Sequence, residues 1–102
     1  MFEVAHAQID AARGNDSGRS AATVFRGSVL SQTVLALTGG SELAEHESPG
    51  EATLYVLIGR VRLTAGDEQW EGAAGDLLVI PPRRHSVAAL EDSAVLLTVG
   101  RR

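Results

Sequence analysis

Between Arg60 and Ala65 the chain alternates strictly, with Arg60, Arg62 and Thr64 on one side of an extended backbone and Val61, Leu63 and Ala65 on the other. A period of two with one apolar face predicts a half-buried β-strand. Other short runs, β-branched or apolar and bounded by turn residues, occupy 23–26, 28–38, 54–58, 76–80, 85–90 and 93–99, with a more polar run at 68–71. Turns are expected at Gly39 and Gly40, at Gly66 and Asp67, and across 72–75. Pro81 and Pro82 remove two backbone donors, so the run before them must end there. The first 13 residues follow a different period: Phe2, Ala5, Ile9 and Ala12 share one side of a short helix, and Gly14 offers a C-cap.

Short strands at intervals of roughly ten residues, with no helical pattern between them, predict an all-β sandwich or barrel rather than a βαβ fold. Residues 14–20 are turn-rich and poor in apolar side chains. The expected organisation is therefore a helical extension and linker over 1–21 and one barrel domain over 22–102. Two runs, 54–58 and 94–98, are apolar on both faces. A barrel interior buries only one face, so the other needs the N-terminal segment, another sheet or a second subunit. A homodimer is the economical expectation.

Composition narrows the function classes. A chain of 102 residues supports one core, and 44% apolar with 22% charged residues is ordinary for a globular domain. No apolar run approaches the roughly 20 residues of a membrane span. The N-terminus lacks the basic start and apolar centre of a signal peptide. These features predict a cytoplasmic protein with no membrane partner. With no cysteine, disulfides, thiolate metal sites and Cys nucleophiles drop out, leaving His, Asp and Glu as metal ligands. The net charge of −4 and nine scattered arginines argue against nucleic acid, which needs clustered cations. No serine sits in a nucleophile turn or a His/Asp constellation, and the glycine pairs do not open helices as phosphate loops do. No catalytic residue is assigned.

The remaining candidate chemistry lies between His46 and His85. His46 sits in a polar loop with Glu45 and Glu47, and His85 follows Gly75-Asp76-Leu77-Leu78-Val79-Ile80-Pro81-Pro82. That motif, together with Val56-Leu57-Ile58-Gly59 inside the block from Gly40 to Gly59, resembles the two consecutive motifs of the cupin superfamily, over roughly residues 34 to 99. The resemblance implies a cupin-type antiparallel jelly-roll barrel with a short N-terminal helix, commonly a homodimer. Metal-binding members use two histidines one residue apart and a glutamate in the first motif, with a further histidine in the second. By residue, the first histidine matches His46 and the last His85. The second histidine falls on Ser48 and the glutamate on Ala52, so half the set is missing.

Two histidines fall short of the three protein ligands usual at an open zinc site, and non-haem iron needs a carboxylate. If 42–48 is extended, His46 shares a face with Ala44, Ser48 and Glu42, while Glu45 and Glu47 point away. Arg83 and Arg84, beside His85, favour an anion over a divalent cation. The expected function is therefore binding of a small molecule, an anion among the candidates, without a complete metal site and with no cofactor. The ligand-binding candidates are His46, Ser48, Tyr55, Arg84 and His85. The alternative is a metal-dependent oxygenase or isomerase holding Zn, Fe, Mn or Ni on His46 and His85, with Glu42, Glu47 or Glu51 as substitute ligand. A third reading is an oligomeric or sensory module whose barrel Leu54, Val56, Leu78 and Ile80 fill completely. The remaining acidic residues read as a solvated rim, and Asp76 as a side chain bonded to nearby backbone.

Overall fold

A computed structural model describes residues 1–46 and 50–100; Glu47, Ser48 and the Arg101–Arg102 tail lie outside the described residues, as does the side chain of His46. The helix α1 (Phe2–Arg13) is followed by β1 (Arg19–Arg26), β2 (Leu30–Leu37), β3 (Glu42–His46), β4 (Glu51–Ile58), β5 (Arg60–Ala65), β6 (Glu68–Ala73), β7 (Leu77–Ile80), β8 (His85–Ala89) and β9 (Ser93–Gly100). The strands form a five-stranded sheet in the order β1-β2-β9-β4-β7 and a four-stranded sheet in the order β3-β8-β5-β6. Every pairing is antiparallel. The fold is an all-β jelly-roll with one short N-terminal helix.

Alternation builds the core. Ala52, Leu54 and Val56 of β4, Val61 and Leu63 of β5, Val87 and Ala89 of β8, and Val95 and Val99 of β9 meet between the sheets. The outer face of the five-stranded sheet is partly covered by α1, whose Ala5, Ile9 and Ala12 pack on Val34, Ala36, Leu57 and Ala94. Val4, rather than Phe2, completes that apolar stripe; Phe2 is exposed. The helix thus supplies part of the cover that the two-faced strands demand. Tyr55, Leu77 and Val79 remain uncovered, with Leu77 60% and Val79 72% exposed.

Several local expectations shift by a few residues. β1 begins at Arg19, inside the segment read as linker, and β6 runs on through Gly72 and Ala73, which were read as a turn. The polar segment around His46 is a strand up to His46, not a loop, because β8 offers it an antiparallel edge. Gly14 caps α1 through a bond from its N–H to the Ala11 carbonyl, but in right-handed helical geometry. Between β4 and β5, Gly59 adopts φ +88°, where a Cβ would run into Ser93 Oγ and the Asp92 carbonyl oxygen. As expected, β7 stops at Ile80 before the two prolines, and Asp76 Oδ2 accepts the Ala73 N–H at 2.9 Å.

Candidate ligand-binding site

One end of the jelly-roll gathers the C-terminal ends of β1, β3, β7 and β9 with the N-terminal ends of β2, β4 and β8. The deep interior is packed by Leu54, Val56 and Leu63, with Leu78 against them. Space remains at the end: a cavity of about 470 Å³ is bordered by Gly50, residues 51–53 of β4, and Val79, Ile80 and Pro82, so it touches the inward Ala52 and Ile80 and the outward Glu51, Thr53 and Val79. A second, of about 310 Å³, lies beneath the β1–β2 hairpin against Leu97 and Val99. The barrel is packed in its depth, and open space borders it at this end.

Register places the two histidines opposite each other, His46 of β3 paired with His85 of β8. A register shift between Leu43 and His46 makes this pairing, since three steps along β3 match two along β8. The strict two-residue parity that grouped His46 with Ala44 and Glu42 therefore does not run through this strand. His85 is buried at 2% exposure, on the same face of β8 as the core residues Val87 and Ala89. Its Nδ1 lies 2.9 Å from the Arg83 carbonyl oxygen. A carbonyl only accepts, so Nδ1 carries a proton and donates it to this bond.

The other candidates are not drawn together with this pair. Tyr55 sits on the outer face of β4, opposite Leu77 and Leu96 and on the far side from Leu54 and Val56. Arg84 bonds Glu45 through Nε at 3.1 Å, and Arg83 pairs with Glu68, so both positive charges beside His85 are met by carboxylates on the exterior. The local positive field expected there is largely cancelled. Glu42 pairs with Ala88, which alternates away from Val87 and Ala89, and Glu51 lies on the outer side of β4 from Ala52. Neither faces the interior with His85. Among the described residues no group of three His, Asp or Glu side chains is arranged to hold a metal ion.

One residue on the inner-face register, exposed at the end of β1, is not legible from alternation. Thr23 of β1 pairs with Thr33, and a one-residue shift follows, after which Phe25 pairs with Gln32 and Arg26 with Ser31. Ser31 pairs with Val99, Val99 with Ala52, and Ala52 with Ile80. Cross-strand partners share a face, so Arg26 stands at the end of a row that runs across the inner surface of the mouth. Unbroken alternation would have put Arg26 outside, with Ala22, and nothing in the sequence announces the shift.

Comparison with known proteins agrees with this architecture. Residues 33–100 match the cupin domain family. The chain belongs to the cupin family. This cupin resembles a protein of unknown function from Streptococcus pyogenes, with 29% identity and a TM-score of 0.77 over 86% of this chain and 78% of that one. It also resembles an RmlC-like cupin protein from Desulfovibrio desulfuricans, 27% identical, with a TM-score of 0.72 over 80% of this chain and 81% of the other. A cupin superfamily protein from Desulfitobacterium hafniense shares the fold at 16% identity, with a TM-score of 0.77 over 82% and 78% of the two chains. No curated protein matches the sequence. Within the cupin pattern, the position of the first-motif glutamate is Ala52, 7% exposed and part of the apolar core. A methyl group cannot coordinate a cation, and the described residues do not fit the metal set of the family.

Proposed function

We propose that this cupin binds a small organic molecule at the open end of its barrel, without a complete metal site, and works in the cytoplasm as a homodimer. The observation that carries the reading is the inner row at the mouth, where Ala52 and Ile80 stand beside an open cavity and supply apolar surface instead of a carboxylate ligand. Binding sites of this size are concave, mostly apolar and furnished with a few polar groups, and the cavity beside Ala52 and Ile80 has that composition. His85 adds a buried imidazole whose Nδ1–H is held by the Arg83 carbonyl. No helix among the described residues is long and apolar enough to cross a membrane.

The His46–His85 register favours a second reading, a metal-dependent oxygenase or isomerase. Of its substitute ligands, Glu42 and Glu51 lie on the wrong faces, and Glu47 lies outside the described residues. Elemental analysis of the purified protein separates the two. The proposal expects Zn, Fe, Mn and Ni far below one per chain, even after the protein is incubated with each metal and desalted. A stoichiometric metal lost in the His46→Ala and His85→Ala variants would overturn it in favour of the enzyme.

A further inference from the structure

Six of the seven described arginines are engaged. Arg13 bonds Asp10 and Asp92, Arg60 and Arg62 share Glu71, Arg83 holds Glu68, Arg84 holds Glu45, and Arg19 reaches the Glu42 carbonyl. Among the described residues, Arg26 alone has a guanidinium with neither a hydrogen bond nor an ion pair. It is also the arginine that a β-bulge sets on the inner-face register, where its side chain is exposed at the end of the sheet. Bulges re-aim side chains, and this one exchanges Phe25 for Arg26 on the inner row. The bulge costs a ladder position and leaves the aromatic ring of Phe25 half exposed on the outside.

Arg26 lines the 310 Å³ cavity together with Ser31, Thr33, Leu97 and Val99. That lining, which Ser28 also joins, combines one fixed positive charge, three hydroxyls that can donate, and an apolar wall at Leu97 and Val99. We infer that Arg26, with the hydroxyls of Ser31 and Thr33, is the anchor for the carboxylate of a small organic acid whose apolar body lies on Leu97 and Val99. This rests on the proposed ligand-binding function and names the ligand class. The planar guanidinium presents two parallel N–H donors that match a carboxylate fork. A single cation balances a single negative charge, whereas a phosphate dianion would remain under-neutralised. The volume sits at the lower end of the ligand-pocket range, which suits an acid of few heavy atoms.

The test uses the ¹⁵N-labelled full chain titrated with benzoate, benzamide and inorganic phosphate, read by amide and arginine side-chain NMR. Benzoate should give saturable shifts at the Arg26 Nε–H and at the Ser31 and Thr33 amides, and benzamide, of the same shape without the charge, should bind about tenfold more weakly or worse. Arg26→Gln should bring benzoate down to the benzamide level while leaving benzamide unchanged, with Arg26→Lys between them because it keeps the charge and loses the fork. Equal binding of the two probes at the mouth, insensitive to Arg26→Gln, would overturn the carboxylate anchor and leave the ligand-binding function standing. Phosphate binding more tightly than benzoate would overturn the choice of carboxylate. If neither organic probe perturbs the mouth, both readings fail. The comparison of benzoate with benzamide on the unmodified protein decides the matter even if a variant does not fold.

Discussion

At the scale of single residues, a few polar side chains are fixed by bonds that the sequence does not display. Ser93 is fully buried, and its Oγ accepts the Arg60 N–H at 3.0 Å while lying 2.7 Å from the Glu91 carbonyl oxygen. It closes the corner where Gly59 leaves no room for a side chain. Ser93→Ala removes the acceptor and strands a buried backbone donor, so urea denaturation should show a loss of about 1–3 kcal/mol. His85 was legible as a candidate because a histidine after a proline pair is conspicuous. Arg26 was not, because its place on the inner-face register depends on one extra residue in β1 that alternation counts as outward. Tyr55 shows the reverse error: an aromatic residue in a two-faced apolar strand gives no sign of which face it occupies, and the pairing with Leu77 and Leu96 puts it outside.

At the scale of elements, α1 was readable from its period, but its attachment was not. Arg13 Nε bonds Asp92 Oδ2 at 2.8 Å, and Asp92 Oδ1 accepts the Gly39 N–H at 2.8 Å, so one carboxylate ties the end of the helix to two turns of the barrel. The Gly39 N–H, followed by Arg13, holds the Asp92 carboxyl below its ordinary value of 3.8. A carboxylate with a depressed folded pKa stabilises the native state fully above its unfolded value and loses that contribution as pH falls through the folded one. On acidification through that window the helix should therefore loosen from the sheet before the barrel unfolds. Hydrogen exchange of the α1 amides against those of β4 checks this order, and Asp92→Asn should flatten the acid response of α1. Asp92 lies 79 and 53 positions in sequence from its two partners, which is why such ties are invisible before folding.

At the scale of the whole molecule, the uncovered strip of Tyr55, Leu77 and Val79 beside α1 is the surface on which the proposed homodimer would form. Val79→Asp should shift sedimentation from a dimer toward the 10.7 kDa monomer, while the amide spectrum of the core stays unchanged. An unchanged sedimentation coefficient for a dimeric protein would move the interface elsewhere. The sequence by itself determined the strand periods, the short helix, the cupin motifs and the absence of half of the family's ligand types, because these depend on local alternation, turn residues and residue identity. Tertiary structure alone decided which residues reach the mouth. Bulges in β1 and β3 shift registers by one residue, setting His46 opposite His85 and Arg26 in the row of Ala52, and carboxylates from distant strands neutralise Arg83 and Arg84. A one-residue slip costs little in local sequence terms yet reverses every side chain beyond it, so the face a residue occupies is fixed only when its partner strand is in place.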